Sequence, residues 1–228
     1  MPRTPLATTV LNRLSEIYPA AADPVRAVGA RAYMRDQFPF HGITNPRLTT
    51  LNREVLAGLD RPTGADLVAV ALGCWEKPER EYQYFACTYL RKYVGVGSPF
   101  LLSTVRELIT TKSWWDTVDT LAAHTVGPLV TAHPKLVSTM DEWIADENMW
   151  VARTAILHQL RYKERTDAER LFRYCTARAG HKDFFIRKAI GWALREYAYT
   201  DPSAVRAYVE EHRAMLSPLS IREASKHL

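Results

Sequence analysis

An all-α fold, a curved superhelical stack of antiparallel helix pairs, is the class this sequence predicts, and three observations carry it. Apolar residues recur at three- and four-residue spacing almost everywhere and nowhere alternate for long as a strand requires. Segment breaks carry Asp, Asn or Ser followed by proline, the residues suited to a helix cap and its first turn. The apolar pairs Trp114-Trp115, Met149-Trp150 and Phe184-Phe185 recur at 35-residue spacing. A fixed period of that size marks stacked helix pairs that bury their faces only against neighbours.

In chain order, helix starts are expected at Asp23-Pro24, Asn45-Pro46, Ser98-Pro99, Pro134, Asp201-Pro202 and Ser217-Pro218. Segments of about 10–16 residues follow, a dozen or so helices and no sheet. Tyr162 and Tyr197 keep the 35-residue period and close two of the repeated helices. The tetratricopeptide landmarks are missing, so HEAT-like or armadillo-like pairs are the better reading. Such stacks curve, and helices starting near 113, 148 and 183 are the candidates for the wall of a concave groove. With no linker or low-complexity tract, residues 1–228 are expected to form a single domain.

The chain has 228 residues, 47% hydrophobic and 24% charged, and can bury a core without staples. Its three cysteines, Cys74, Cys87 and Cys175, form no Cys-x-x-Cys. Each lies in an apolar helical stretch and reads as a small core residue, so neither a disulfide framework nor a metal site is expected. The N-terminus has no apolar h-region after its arginine, and the uncharged run from Leu67 to Trp75 is too short to span a bilayer. A cytoplasmic location is the expectation, with no membrane partner. Net charge is +5, but its distribution says more. Residues 113–152 carry one Lys and six Asp/Glu, a balance of −5; residues 153–195 carry eleven Lys/Arg and four Asp/Glu, a balance of +7. A basic block suits a polyanion, although a solvated helical surface looks the same.

Trp115 and Asp119 lie four apart on a helix and share a face. A core face does not take an unpaired carboxylate, and a solvated face does not take a large indole. Together they suit a cleft that holds something cationic. Trp192, seven residues beyond Phe185, and Arg153, three beyond Trp150, fall at corresponding places on the repeated helices. Each taken alone reads more readily as a core indole, or for Arg153 as a surface or ion-pair arginine; the conjunction at corresponding places is what points to a site. Asp116, in the first turn, suits the helix dipole.

The segments TKSWWDTVD (111–119), NMWVAR with AILHQLRYK after it (148–163) and DFFIRKAIGWALREYA (183–198) carry a resemblance. ARAYMRDQFPFHGI (30–43), WEKPEREYQ (75–83) and PLSIREASKHL (218–228) fit it too. The chain resembles the HEAT-like-repeat alkylpurine DNA glycosylases, the AlkD-like family of DNA alkylation repair enzymes, from residue 23 onward. That resemblance implies hydrolysis of the N-glycosidic bond of cationic N3- or N7-alkylated purines in duplex DNA, with no cofactor and no metal. It also implies cutting without flipping the base into the protein, which would admit bulky adducts, as in self-resistance to a genotoxic alkylator. Asp119 takes the place of the catalytic aspartate, and Trp115 and Trp192 match the indoles flanking the lesion. Tyr33 matches a tyrosine near that cleft, and Arg153 a phosphate-contacting arginine. Arg161, Lys163, Lys188 and Arg195 are further phosphate candidates, and Phe184 a further DNA contact. Thr44 stands where the family often carries a longer amide side chain. The expected partner is double-stranded DNA with alkylated purines, met by a monomer associated with the nucleoid in a prokaryote. The competing reading is a non-catalytic helical-repeat module that binds nucleic acid or protein.

Overall fold

Side-chain caps set where most of these helices begin. In the computed structural model, which describes residues 4–228, Thr4 caps α1 (Pro5–Ala20) and Asp23 caps α2 (Pro24–Tyr33). Thr44 precedes α3 (Asn45–Val55), and a Thr63–Asp66 capping box opens α4 (Gly64–Glu76). α5 (Arg80–Tyr93) completes these first helices. The expected start at Asn45-Pro46 is thus displaced by one residue, with Thr44 at the cap making no side-chain bond. The chain forms two compact units, Met1–Thr104 and Val105–Leu228.

In the first unit, α1 packs on α3 and α4, and α4 on α5. Ala7, Val10, Leu14 and Tyr18 form the buried stripe of α1, the three- and four-residue spacing of an amphipathic helix. Helices α1 and α4 approach closely at Gly73, where a Cβ would meet Leu11 Cδ1 at 2.4 Å. The loop 34–44 is pinned by buried Glu81, whose carboxylate accepts the backbone N–H groups of His41, Gly42 and Ile43 at 3.0, 2.8 and 3.2 Å. Gly42 has φ +83°, and a Cβ there would meet the Asp23 carbonyl oxygen at 2.2 Å, so only glycine fits. Helix α2 buries none of its residues, and Tyr33 at its end is exposed.

The second unit begins within α6 (Leu101–Thr110). It continues with α7 (Trp115–Leu121), α8 (Gly127–Ala132), α9 (Val137–Trp143), α10 (Met149–Leu157) and α11 (Ala168–Ala177). α12 (Phe184–Ala198), α13 (Pro202–Glu211) and α14 (Pro218–Ala224) complete it. Among the described residues the fold is all-α, with fourteen α-helices and no strand. Asn148 and Asp183 cap α10 and α12 through the N–H groups of Trp150 and Phe185. α10 packs directly against both α7 and α12, so the three repeated helices stand side by side.

Several helices are shorter than the expected 10 residues. α7, α9 and α14 have 7 residues and α8 has 6. A single π turn, Ala122–Val126, joins α7 to α8. Pro128 explains the break, because it has no N–H to return to the preceding turn. Pro134 opens a short 3₁₀ turn ahead of α9 instead of the helix itself, and the helix expected at Ser98-Pro99 starts at Leu101.

Candidate active site

Asp119 sits near the end of α7, one turn beyond Trp115, and the neighbouring α10 supplies its partner. Arg153 donates from Nε to Asp119 Oδ1 and from Nη2 to Oδ2, both at 2.7 Å. This bidentate fork fixes the carboxylate plane as well as its distance. Nη1 of the same guanidinium donates to the Phe185 carbonyl at the start of α12, so one arginine ties three helices together. Arg153 is only 1% exposed at its side chain, whereas the Asp119 side chain keeps 18%. The arginine is sealed inside, and the Asp119 side chain keeps a small exposed fraction.

Burial pushes the Asp119 carboxyl above the usual carboxylate range; Arg153 pulls against that rise through its charge and hydrogen bonds, and Asp116 adds to it. Asp116 also accepts the Thr117 N–H at 2.9 Å, a local turn bond suited to its place at the start of α7.

Trp192, half-buried on α12, lies against the same guanidinium, with Arg153 Cζ 5.5 Å from its ring centroid. Two more cations flank the indole: Lys188 Nζ at 5.5 Å and Arg195 Cζ at 6.0 Å. The structure therefore brings Asp119, Arg153 and Trp192 into one cluster, with half-buried Trp115 one turn from the carboxylate. Trp114 belongs elsewhere. Half-buried like the other two, it packs its ring against Phe185 at 5.2 Å and Trp150 at 6.0 Å.

One sequence expectation is corrected here. Arg153 was expected to contact phosphate, but its side chain is buried and each of its three guanidinium nitrogens already donates, to Asp119 or to the Phe185 carbonyl. It can act only through the carboxylate it holds. Lys188 and Arg195 remain partly open, yet both pair with Glu223 of α14, at 2.8 and 3.2 Å. Arg161 and Lys163 lie exposed after α10, and Phe184 is 52% exposed with its ring 5.4 Å from Phe185. Tyr33 belongs to the first unit, on α2. The sequence reading missed Glu223 entirely. Its only signal was the repeat period, since it lies 35 residues after Lys188, counting from 188 to 223.

Among the described residues, no group of three or more His, Cys, Asp or Glu side chains is arranged to hold a metal ion. Among the described residues no helix is long and apolar enough to cross a membrane.

A family model described as DNA alkylation repair enzyme matches residues 16–228. A solved structure described as a predicted DNA alkylation repair enzyme from Enterococcus faecalis is similar at 33% identity and a TM-score of 0.84. The match covers 91% of this chain and 96% of that one. A search of the curated proteins returns no match.

Proposed function

The chain belongs to the DNA alkylation repair enzyme family, and from that premise we propose that it is a DNA glycosylase releasing cationic N3- or N7-alkylated purines from duplex DNA. The observation that carries the reading is the Asp119 carboxylate, held edge-on by a buried arginine beside an indole. An alkylated purine already bears positive charge, so it leaves without a strong general acid. As the glycosidic bond breaks, positive charge moves onto the deoxyribose. A fixed carboxylate beside that sugar stabilises the charge and orients the attacking water. Glycoside hydrolases use a second carboxylate partly because their leaving groups need protonation. This leaving group does not.

Arg153 makes the arrangement possible and limits it. Its fork removes the rotational freedom of Asp119 before substrate arrives, which is preorganisation. It also offsets part of the carboxylate's field, so only the remaining attraction acts on the sugar. Trp115 and Trp192 offer ring faces to a cationic sugar or base, each contact worth about 0.5–2 kcal/mol. Exposed Arg161 and Lys163 suit phosphate, which positions a duplex without reading its sequence. In this reading the base is cut without entering a protein pocket, and residues 1–228 act as one domain.

The direct test is single-turnover release of free base from duplexes carrying N7-methylguanine or a bulky N3-adenine adduct. Release by the wild type and its loss in Asp119→Asn are the expected results. A folded wild type that binds duplex DNA and releases neither base would favour the non-catalytic binding module.

A further inference from the structure

Glu223 lies where α14 meets α12, with only 4% of its side chain exposed. A carboxylate buried to that degree needs partners, and three cations supply them. Lys188 Nζ stands 2.8 Å from Oε1, Arg195 Nη1 3.2 Å from Oε2, and Lys226 Nζ 3.0 and 2.9 Å from the two oxygens. Burial alone would raise this carboxyl, but hydrogen bonds and charge from Lys188 and Lys226 outweigh it and hold it at about 2. Close packing fixes the carboxylate in place. A Cβ on Gly191 would meet Glu223 Cβ at 2.4 Å and the Ser220 carbonyl oxygen at 2.9 Å, so α14 rests directly on the α12 backbone. Ser220 Oγ adds a bond to the Arg187 carbonyl at 2.8 Å.

Two of the three cations have a second contact. Lys188 and Arg195 sit one turn either side of Trp192 on α12, and both lie against its ring. The same side chains that Glu223 holds are therefore those that bracket the indole. Lys188 and Arg195 are long and flexible, and each keeps about a quarter of its side chain open, 23% and 28%. Without an anchor they would sample many rotamers and turn toward any nearby phosphate.

Resting on the glycosylase reading of the site, we propose that Glu223 is a positioning residue for Trp192: its carboxylate clamps Lys188 and Arg195 against the indole and withholds both cations from DNA phosphate. The clamp fixes the ring orientation the reaction uses. It also leaves the cluster basic, because three cations meet one carboxylate.

The test is Glu223→Gln, which keeps the side-chain size and removes the charge. Nitrogen-15 labelling of tryptophan gives six indole N–H signals, one per Trp, and Trp192→Phe assigns the relevant one. The Trp192 signal is expected to shift or broaden while the other five hold. Excision at saturating enzyme is expected to fall about 3- to 30-fold, the loss of one cation–π contact's worth of order. Duplex affinity should hold or tighten, with a salt slope steeper by about 1 as a cation is released to phosphate. Loss of chemistry with retained or tighter binding separates positioning from simple destabilisation, which would weaken both and move every indole. An unmoved Trp192 signal, movement of all six, or unchanged excision overturns the proposal. If the wild type releases no base, the glycosylase reading falls, and the indole signal alone then decides whether Glu223 orders Trp192.

Discussion

Arg153 grips both carboxylate oxygens of Asp119 from 34 residues further along the chain, at 2.7 Å on each side. Breaking such a buried pair leaves one charge uncompensated. Arg153→Met should therefore destabilise the fold by about 3–5 kcal/mol. The salt dependence of duplex binding should stay unchanged, since the guanidinium is sealed from phosphate. Denaturant melts and binding titrations at several salt concentrations check both. A slope reduced by about 1, the signature of a lost phosphate contact, would return Arg153 to the DNA surface.

Asp119→Asn should nearly abolish base release while duplex binding holds or improves. The carboxylate repels phosphate in the ground state and acts favourably only as the sugar turns cationic. The substitution also strands Arg153 against a neutral amide, so a drop in melting temperature is expected. Excision must then be measured well below that melt, per folded molecule. Unchanged excision removes Asp119 from the mechanism.

The pH profile follows from the raised Asp119 carboxyl. The ionised form carries the chemistry, so excision should be full at neutral pH and lost as pH falls through the raised pKa. The acid limb should therefore lie above about 3.9, the ordinary aspartate value. Because Arg153 pulls that carboxyl down, Arg153→Met should move the limb higher still. Single-turnover rates corrected for uncatalysed depurination measure it. A limb at or below about 3.9 assigns the titration to another group.

Glu223 gives the opposite sign in stability. Its carboxyl is held at about 2 in the fold, against about 4.3 for an ordinary glutamate. Its ionisation contributes stability that is present above the unfolded value and lost as pH falls through the folded one. The stability gap between wild type and Glu223→Gln should be level above about pH 5 and close between about 4.3 and 2. Melts across that range measure the gap; one that stays level to the lowest pH would mean the two forms differ by packing alone.

The all-α class was legible because three- and four-residue spacing needs only local sequence. Some of the caps were legible for the same reason: Asp23, Asp201 and Ser217 cap helices by their side chains, whereas Asn45 lies inside α3 and the helix expected at Ser98 starts at Leu101. Asp119 and Trp115 stood out because an acid and an indole on one helix face conflict. What a side chain faces across helices was less legible. Arg153 looked like a surface cation because nothing within its own helix reveals that α7 covers it. The repeat period held the missing information. Asp119 to Arg153 is 34 residues, and Tyr162 to the Gly127 carbonyl it donates to is 35. In stacked helix pairs, residues one period apart become neighbours. Opposite charges at that separation are therefore pairing candidates on spacing alone. The π turn after Asp119 was marked only by Pro128, which reads equally well as an ordinary helix start.

Trp114, Trp115 and Trp192 can be told apart by stability and activity together. All three are half-buried, but Trp114 packs on two aromatic rings, Trp150 and Phe185 at 6.0 and 5.2 Å, with its Nε1 shut from solvent. Trp114→Ala should cost about 3–5 kcal/mol through lost contacts and a cavity. Trp192 is half-buried and bracketed by side chains that can move, and Trp115 is half-buried at the first position of α7. Truncating either to Ala should cost about 1 kcal/mol. Excision should nonetheless fall in both, through the ring face lost to the cationic transition state. The loss should be larger for weakly activated N7 adducts than for labile N3 ones, because a bond that breaks readily leans less on the protein. In Trp192→Ala, Glu223 still pairs with Lys188 and Arg195, so neither cation is released to phosphate. Its duplex binding should therefore not tighten, in contrast to Glu223→Gln. Denaturant melts, single-turnover excision on both lesions and duplex titrations of the three variants decide it. Should Trp115→Ala melt as badly as Trp114→Ala while its folded fraction excises normally, Trp115 is a packing residue and the catalytic face narrows to Asp119 and Trp192.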